Sequence, residues 1–299
     1  MKLHTNSTKG TLTEQELAGK HSKFVELNGI QVHYEFSKGK NNKTLVVLLH
    51  GFGANTFSFR HLLPELTKLG DVVSYDRPCF GLTVRPKQWS GINPYGYQAQ
   101  ILLLDEVIKH FGANKKIILL GHSAGAAIAA DWALKNQDRM SALILEAPAI
   151  LTLAPVNKFL QKLNKSKAMN RIGPRLVGNF KKAGMKILYR SWYDKSGITQ
   201  EVLDGYLLPL EVKGWEAAFW EFVRHPDRSN IQDHLAKLNV PTLVIYGVHD
   251  QIIPPKDSIA VAKLIKKAKL VKVSDCGHLP HEETPKQFLA AVEDFISQL

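Results

Sequence analysis

Only two cysteines, Cys79 and Cys276, occur among 299 residues. That number cannot build a disulfide framework or a thiolate zinc site. So low a thiol content fits a reducing compartment. The N-terminus, MKLHTNSTKGTLTEQELAGK, lacks the apolar core of a secretory signal. The longest apolar stretch, residues 117–134, approaches the length of a membrane span. It is interrupted by His122, Asp131 and two glycines, and reads better as a strand, a turn and a helix. These absences predict a soluble, cytoplasmic protein. No metal-ligand spacing such as H-E-x-x-H occurs, and there is no internal repeat or low-complexity segment.

Acidic residues are missing from one long stretch. Residues 147–193 contain no Asp or Glu but ten Lys and Arg, from Lys158 to Arg190, in a chain of net charge +12. Apolar Val156, Phe159, Leu160 and Leu163 fall at helical spacing among them. Two readings stay open: a basic amphipathic face for an anionic membrane surface or an acidic carrier protein, or a solvated face of a basic protein. No helix-turn-helix, zinc-finger or RNP motif accompanies the charge, so no nucleic-acid partner is expected.

What is present is an ordinary globular composition, 44% hydrophobic and 22% charged. Four short apolar runs stand out, at residues 45–49 (LVVLL), 117–120 (IILL), 142–145 (ALIL) and 243–246 (LVIY). Strands covered on both faces look like this. Helical patterns at residues 99–110 and 124–135 lie between them. Strands alternating with helices predict an α/β fold with a mostly parallel sheet and helices on both faces. Asn28-Gly29 between residues 23–27 and 31–36 predicts an antiparallel hairpin at the start. The rhythm breaks from residue 151 to 235, where helical patterns and aromatics replace strands. The predicted organisation is a polar, frayed tail at 1–22, a core at 23–150 and 236–299, and a helical insertion at 151–235.

One motif carries chemistry. Gly121-His122-Ser123-Ala124-Gly125 matches G-x-S-x-G between the IILL strand and an alanine-rich helix. That context lets a serine stand on a strained strand-to-helix turn with its hydroxyl exposed. Other segments follow in order: His50-Gly51-Phe52-Gly53 after the LVVLL strand, Gly247-Val248-His249-Asp250 after LVIY, and Gly277-His278 after a short strand at 270–273.

With these segments the chain resembles the α/β-hydrolase family, in its single-cap, esterase-like branch, from about Phe24 onward. The resemblance implies Ser123 as nucleophile, His278 as base and Asp250 as the acid that orients it. Glu146 is the rival acid and His281 the rival base. The backbone N–H groups of Phe52 and Ala124 become the oxyanion hole. The residue 151–235 insertion becomes a lid, with Trp192, Trp215 and Phe219 either lining the substrate pocket or building the lid's own core. The turn Asp76-Arg77-Pro78-Cys79 departs from the family's usual glycine, and Ala126 stands where many lipase-like members have a second glycine. Serine in place of aspartate at the elbow argues against dehalogenase and epoxide hydrolase chemistry. The resemblance therefore implies an acyl-enzyme formed from a small-molecule acyl substrate, an ester by default, with no cofactor and no metal. Alternatives are a lipase or acyl-carrier esterase that docks through the basic stretch, and a hydrolase-like small-molecule receptor.

Overall fold

The computed structural model describes residues 10–151, 167–177, 180–225 and 229–299. The strands are β1 (Lys23–Leu27), β2 (Ile30–Ser37), β3 (Thr44–Leu49), β4 (Asp71–Tyr75), β5 (Lys116–His122), β6 (Met140–Glu146), β7 (Thr242–Gly247) and β8 (Ala268–Val273). They form one eight-stranded sheet in the order β1-β2-β4-β3-β5-β6-β7-β8. β1 and β2 pair antiparallel across the Asn28-Gly29 turn, and β2 meets β4 antiparallel. Every later pairing is parallel.

The apolar runs reflect burial on both faces. Along β3, Leu45, Val47 and Leu49 enter one core cluster, while Val46 and Leu48 enter the other. Helix α1 is a single turn (Glu14–Leu17), and α2 (Tyr97–Gly112) and α3 (Ala124–Lys135) follow it in the chain. Leu104 and Val107 of α2 and Ile128 and Trp132 of α3 cover the first face. The second face is covered by Phe59, Leu62 and Leu66, and by Phe288, Val292 and Phe295 near the C-terminus.

Between β6 and β7 the described residues form α4 (Lys167–Val177), α5 (Phe180–Ser191), α6 (Gln200–Leu207) and α7 (Trp215–Arg224), with no strand among them. α8 (Pro255–Leu264), α9 (Pro280–Glu283) and α10 (Pro285–Ser297) complete the chain. Val156, Phe159, Leu160 and Leu163, with Lys158, Lys162 and Lys165, lie outside the described residues.

Two expectations need correction. Strand β4, DVVSY, escapes the search for apolar runs because Asp71 and Ser74 interrupt it, yet all five residues are buried. Asp71 is buried because Lys38, Lys115 and the Gly39 N–H all donate to its carboxylate. Nor are residues 10–22 a frayed tail. Thr13 and Glu16 close a capping box over α1, Leu17 is buried, and Leu12 forms a parallel bridge with Val212 of the insertion. Two apolar side chains in a polar segment are enough to fasten it down.

Candidate active site

The geometry of the site begins with close backbone packing. A Cβ on Gly125 would stand 2.5 Å from the Leu49 carbonyl oxygen, and one on Gly121 would stand 2.6 Å from the Cα of Ala126. Glycine at both positions lets α3 press against the ends of β3 and β5. The chain then turns through Ser123 at φ +53°, ψ −116°. That is a conformation an L-residue adopts only under strain. The Ser123 N–H donates to the Glu146 carbonyl (2.9 Å), and the Ser123 carbonyl accepts from the Ala149 N–H (3.1 Å). The elbow is thus tied to the end of β6.

The loop after β3 lies against this elbow. A Cβ on Gly51 would come within 3.1 Å of the Ser123 Cβ. His50 Nδ1 donates to the Gly51 carbonyl (2.8 Å), and its Nε2 accepts the Arg77 N–H (3.0 Å). Burial, with the Arg77 charge beside it, pushes the His50 pKa down to about 3, so the ring is neutral. Arg77 Nη2 also donates to the Gly51 carbonyl (2.9 Å). Gly51 C=O and Phe52 N–H belong to one planar trans peptide. Two donors on the carbonyl therefore fix the direction of the N–H. Ala124 begins α3, where helix N–H groups have no partner within the helix.

Asp250 follows β7. Its Oδ1 accepts the N–H groups of Ile252 (2.7 Å) and Ile253 (2.9 Å), and its Oδ2 accepts from His278 Nδ1 (2.7 Å). This arrangement places the His278 proton on Nδ1 and leaves Nε2 as the basic nitrogen. The His278 carbonyl accepts from His122 Nε2 (3.0 Å). Burial first, then neighbouring His278 and His281, hold the His122 pKa well below its ordinary value.

Ser123 and His278 line one cavity of about 1070 Å³, counted out to its mouth. Phe52, Trp215 and Phe219 line it as well. Trp192 does not: it packs against Leu188, Val202 and Leu279, and borders a separate, more open cleft. Helical spacing alone cannot separate a core tryptophan from a pocket one. Sequence reasoning also missed Cys79, Phe80 and Arg85 in the cavity wall. The departing turn after Asp76 was the available signal for the first two.

The rival acid and base pair with each other. Glu146 Oε1 accepts both the N–H (2.9 Å) and Nδ1 (2.7 Å) of His281. His281 Nε2 lies 2.7 Å from Ser58 Oγ, which donates to Glu282 (2.9 Å). Tyr206 of α6 and Arg60 also donate to Glu282. Ser58, His281 and Glu146 mimic a triad, but all three are fully buried and no substrate can reach them. Among the described residues, no group of three or more His, Cys, Asp or Glu is placed to hold a metal ion.

A strained strand-to-helix turn carrying a serine at the C-terminal edge of a mostly parallel sheet defines a class, and comparison with known proteins agrees. A family model described as the alpha/beta hydrolase fold matches residues 44–285. An uncharacterized hydrolase of Bacillus subtilis, YugF, is 28% identical over 279 residues, 90% of this chain and 96% of that one. Human monoacylglycerol lipase ABHD6 is 25% identical, covering 94% of this chain and 83% of its own. A thermophilic esterase from Thermogutta terrifontis superposes with a TM-score of 0.72 at 23% identity, over 93% of this chain and 98% of that one. A bacterial membrane phospholipase A does so at 0.73 and 24% identity, over 95% and 88%. The chain belongs to the α/β-hydrolase family and is a hydrolase. Among the described residues no helix is long and apolar enough to cross a membrane.

Proposed function

We propose that the protein hydrolyses a carboxylic ester of a small hydrophobic substrate through an acyl-enzyme on Ser123. The observation that carries this reading is the shared cavity of Ser123 and His278, with Asp250 fixing the other imidazole nitrogen. His278 Nε2 takes the Ser123 proton as Oγ attacks the ester carbonyl. Negative charge on the carbonyl oxygen then falls to the N–H groups of Phe52 and Ala124. His278 returns the proton to the departing alcohol, and water repeats the sequence to release the acid. Relatives named as an esterase and a monoacylglycerol lipase support an ester as substrate. Leu188, Leu210 and Phe219 in the cavity wall suit an apolar acyl chain. The insertion acts as the cap that shapes this pocket.

A panel of p-nitrophenyl esters of increasing acyl length tests the reading, with a fluorophosphonate probe in parallel. Turnover with a distinct optimum in chain length and stoichiometric labelling of Ser123 is the expected result. A folded protein that neither labels nor turns over any ester sinks it.

One observation favours a second, lipase-like reading, in which the protein works at an anionic membrane surface. Helix α5 lines the cavity through Met185 and Leu188, while Lys182, Lys186, Tyr189 and Arg190 are exposed on it. A cavity wall whose outer side is basic and partly apolar suits substrate delivered from anionic lipid. Co-sedimentation with phosphatidylglycerol-containing vesicles at low salt is expected, and it should weaken for Lys182→Glu/Lys186→Glu. Equal recovery with neutral phosphatidylcholine vesicles, or binding indifferent to salt, removes this reading. Binding to an acidic carrier protein but not to vesicles replaces it with the carrier-esterase alternative.

A further inference from the structure

The site residues account for the His278 side chain but not for what holds its backbone. Three consecutive peptide N–H groups, from Gly277 to Leu279, find acceptors outside the sheet. Glu283, the last residue of α9, accepts two of them on Oε1, from Gly277 (2.9 Å) and Leu279 (3.2 Å). Its Oε2 accepts the N–H of Tyr193 in the insertion (2.6 Å). The middle N–H, that of His278 itself, donates to the Ser191 carbonyl (2.6 Å), also in the insertion. A Cβ on Gly277 would lie 2.3 Å from that Ser191 oxygen and 2.9 Å from the Tyr193 nitrogen. Only glycine admits so close an approach of the two backbones.

On the serine-hydrolase reading above, we propose that Glu283 is a positioning residue: its carboxylate ties Tyr193 of the insertion to the peptides flanking His278, beside the direct His278–Ser191 bond, so that the seating of the cap sets where the imidazole stands. In the His278–Leu279 peptide, whose N–H donates to Glu283, the carbonyl is held by His122, the neighbour of Ser123. The histidine is therefore suspended between elbow and cap. A cap displaced at residues 191–193 carries the His278 backbone with it, which makes this end of the cap a fixed anchor. The carboxylate is required for its two acceptor oxygens. A glutamine has one acceptor oxygen and an NH₂ group, so it cannot serve the Tyr193 N–H and the loop N–H groups together.

The test uses the full chain with Glu283→Gln, Glu283→Asp and, from the other side of the contact, Gly277→Ala. Misplacing a reacting group by an ångström lowers rate about 100-fold. Glu283→Gln is expected to lower kcat on a short p-nitrophenyl ester by about 10- to 100-fold, with KM changed less than threefold. The labelling rate by fluorophosphonate should fall in step. The downfield proton resonance of His278 Nδ1–H, which reports its bond to Asp250, should shift or broaden. Glu283→Asp keeps both oxygens on a shorter arm and should recover part of the rate. Gly277→Ala should reproduce the Glu283→Gln signature.

Wild-type kcat in Glu283→Gln, or a large rise in KM with kcat unchanged, overturns the proposal. If Glu283→Gln does not fold, wild-type kcat in folded Glu283→Asp overturns it instead. If the wild-type protein neither labels nor turns over, the serine-hydrolase reading falls, and the resonance alone decides the positioning role. An unmoved His278 signal in Glu283→Gln then refutes it.

Discussion

Replacing Ser123 by alanine should lower kcat at least about 10,000-fold while leaving the fold intact. The loss follows from chemistry, since the other hydroxyls among the described lining residues of the cavity, those of Ser191 and Tyr206, donate to the Ile187 carbonyl and to Glu282. Stability should hardly move, because alanine at φ +53° is strained as serine is. Ser123→Gly separates the two effects. Glycine adopts positive φ without penalty, so it should match the inactivity of Ser123→Ala and resist denaturant by about 1 kcal/mol more. An inactive protein more stable than wild type would mean that the strain is retained for the sake of the hydroxyl. Rates from the p-nitrophenyl assay and midpoints from urea melts decide the matter. Turnover in Ser123→Ala within tenfold of wild type would exclude Ser123 as nucleophile.

The second large effect separates two acidic residues. In Asp250→Asn, the N–H groups of Ile252 and Ile253 select the amide oxygen, because Oδ1 already accepts both. The amide NH₂ is then turned toward His278 Nδ1. That forces the imidazole proton onto Nε2, the nitrogen that must be free to act as base. A fall in kcat of about 10,000-fold is expected, with little change in the melting midpoint. Glu146→Ala should behave oppositely. Burial opposes a charge on His281, but the Glu146 carboxylate outweighs it and the His281 pKa is raised. Removing Glu146 leaves the buried His281 with only the more distant Glu282 carboxylate (3.8 Å) as counter-charge and should cost about 3 kcal/mol, with kcat of the folded fraction within tenfold of wild type. The pH dependence has a definite sign. The stability contributed by protonated His281 is fully present below its ordinary value of 6.5 and is lost as pH rises through its raised folded value. Glu146→Ala should weaken that alkaline decline, since of the two carboxylates that raise the His281 pKa only Glu282 remains. If instead Glu146→Ala is inactive and stable while Asp250→Asn is active, the two acids exchange roles.

Much of this architecture is legible in the residues, and the exceptions have physical reasons. Strands β3, β5, β6 and β7 show as unbroken apolar runs because both their faces are covered. β4 does not, because Asp71 satisfies its charge through Lys38 and Lys115, far from it in sequence. The elbow and the loops at His50, Asp250 and His278 are legible because each chemical task needs a residue type at a fixed place after a strand. Glu283 stands close to His278 in sequence, but its link to the insertion, like the place of Ser58, rests on contacts that no local pattern encodes. Glu283 meets Tyr193 across 90 positions, and Ser58 meets His281 across 223. The sequence leaves Trp192 open between pocket and lid core, and contacts with Leu188, Val202 and Leu279 put it in the core.

The strand order bears on how the molecule is made. β3, β5, β6, β7 and β8 each join the sheet beside the preceding strand of that series, so a growing chain extends one edge as it leaves the ribosome. By Glu146 the elbow has been synthesised, but Asp250 and His278 are still to come, beyond the whole insertion. On the reading proposed here, a nascent chain therefore carries its serine without a base to activate it. The last two strands deliver acid and base together, and the parallel bridge between Leu12 and Val212 can close only after the insertion has emerged. Hydrolytic competence thus arises as a property of the finished sheet, and a stalled or prematurely terminated product is harmless to the esters around it.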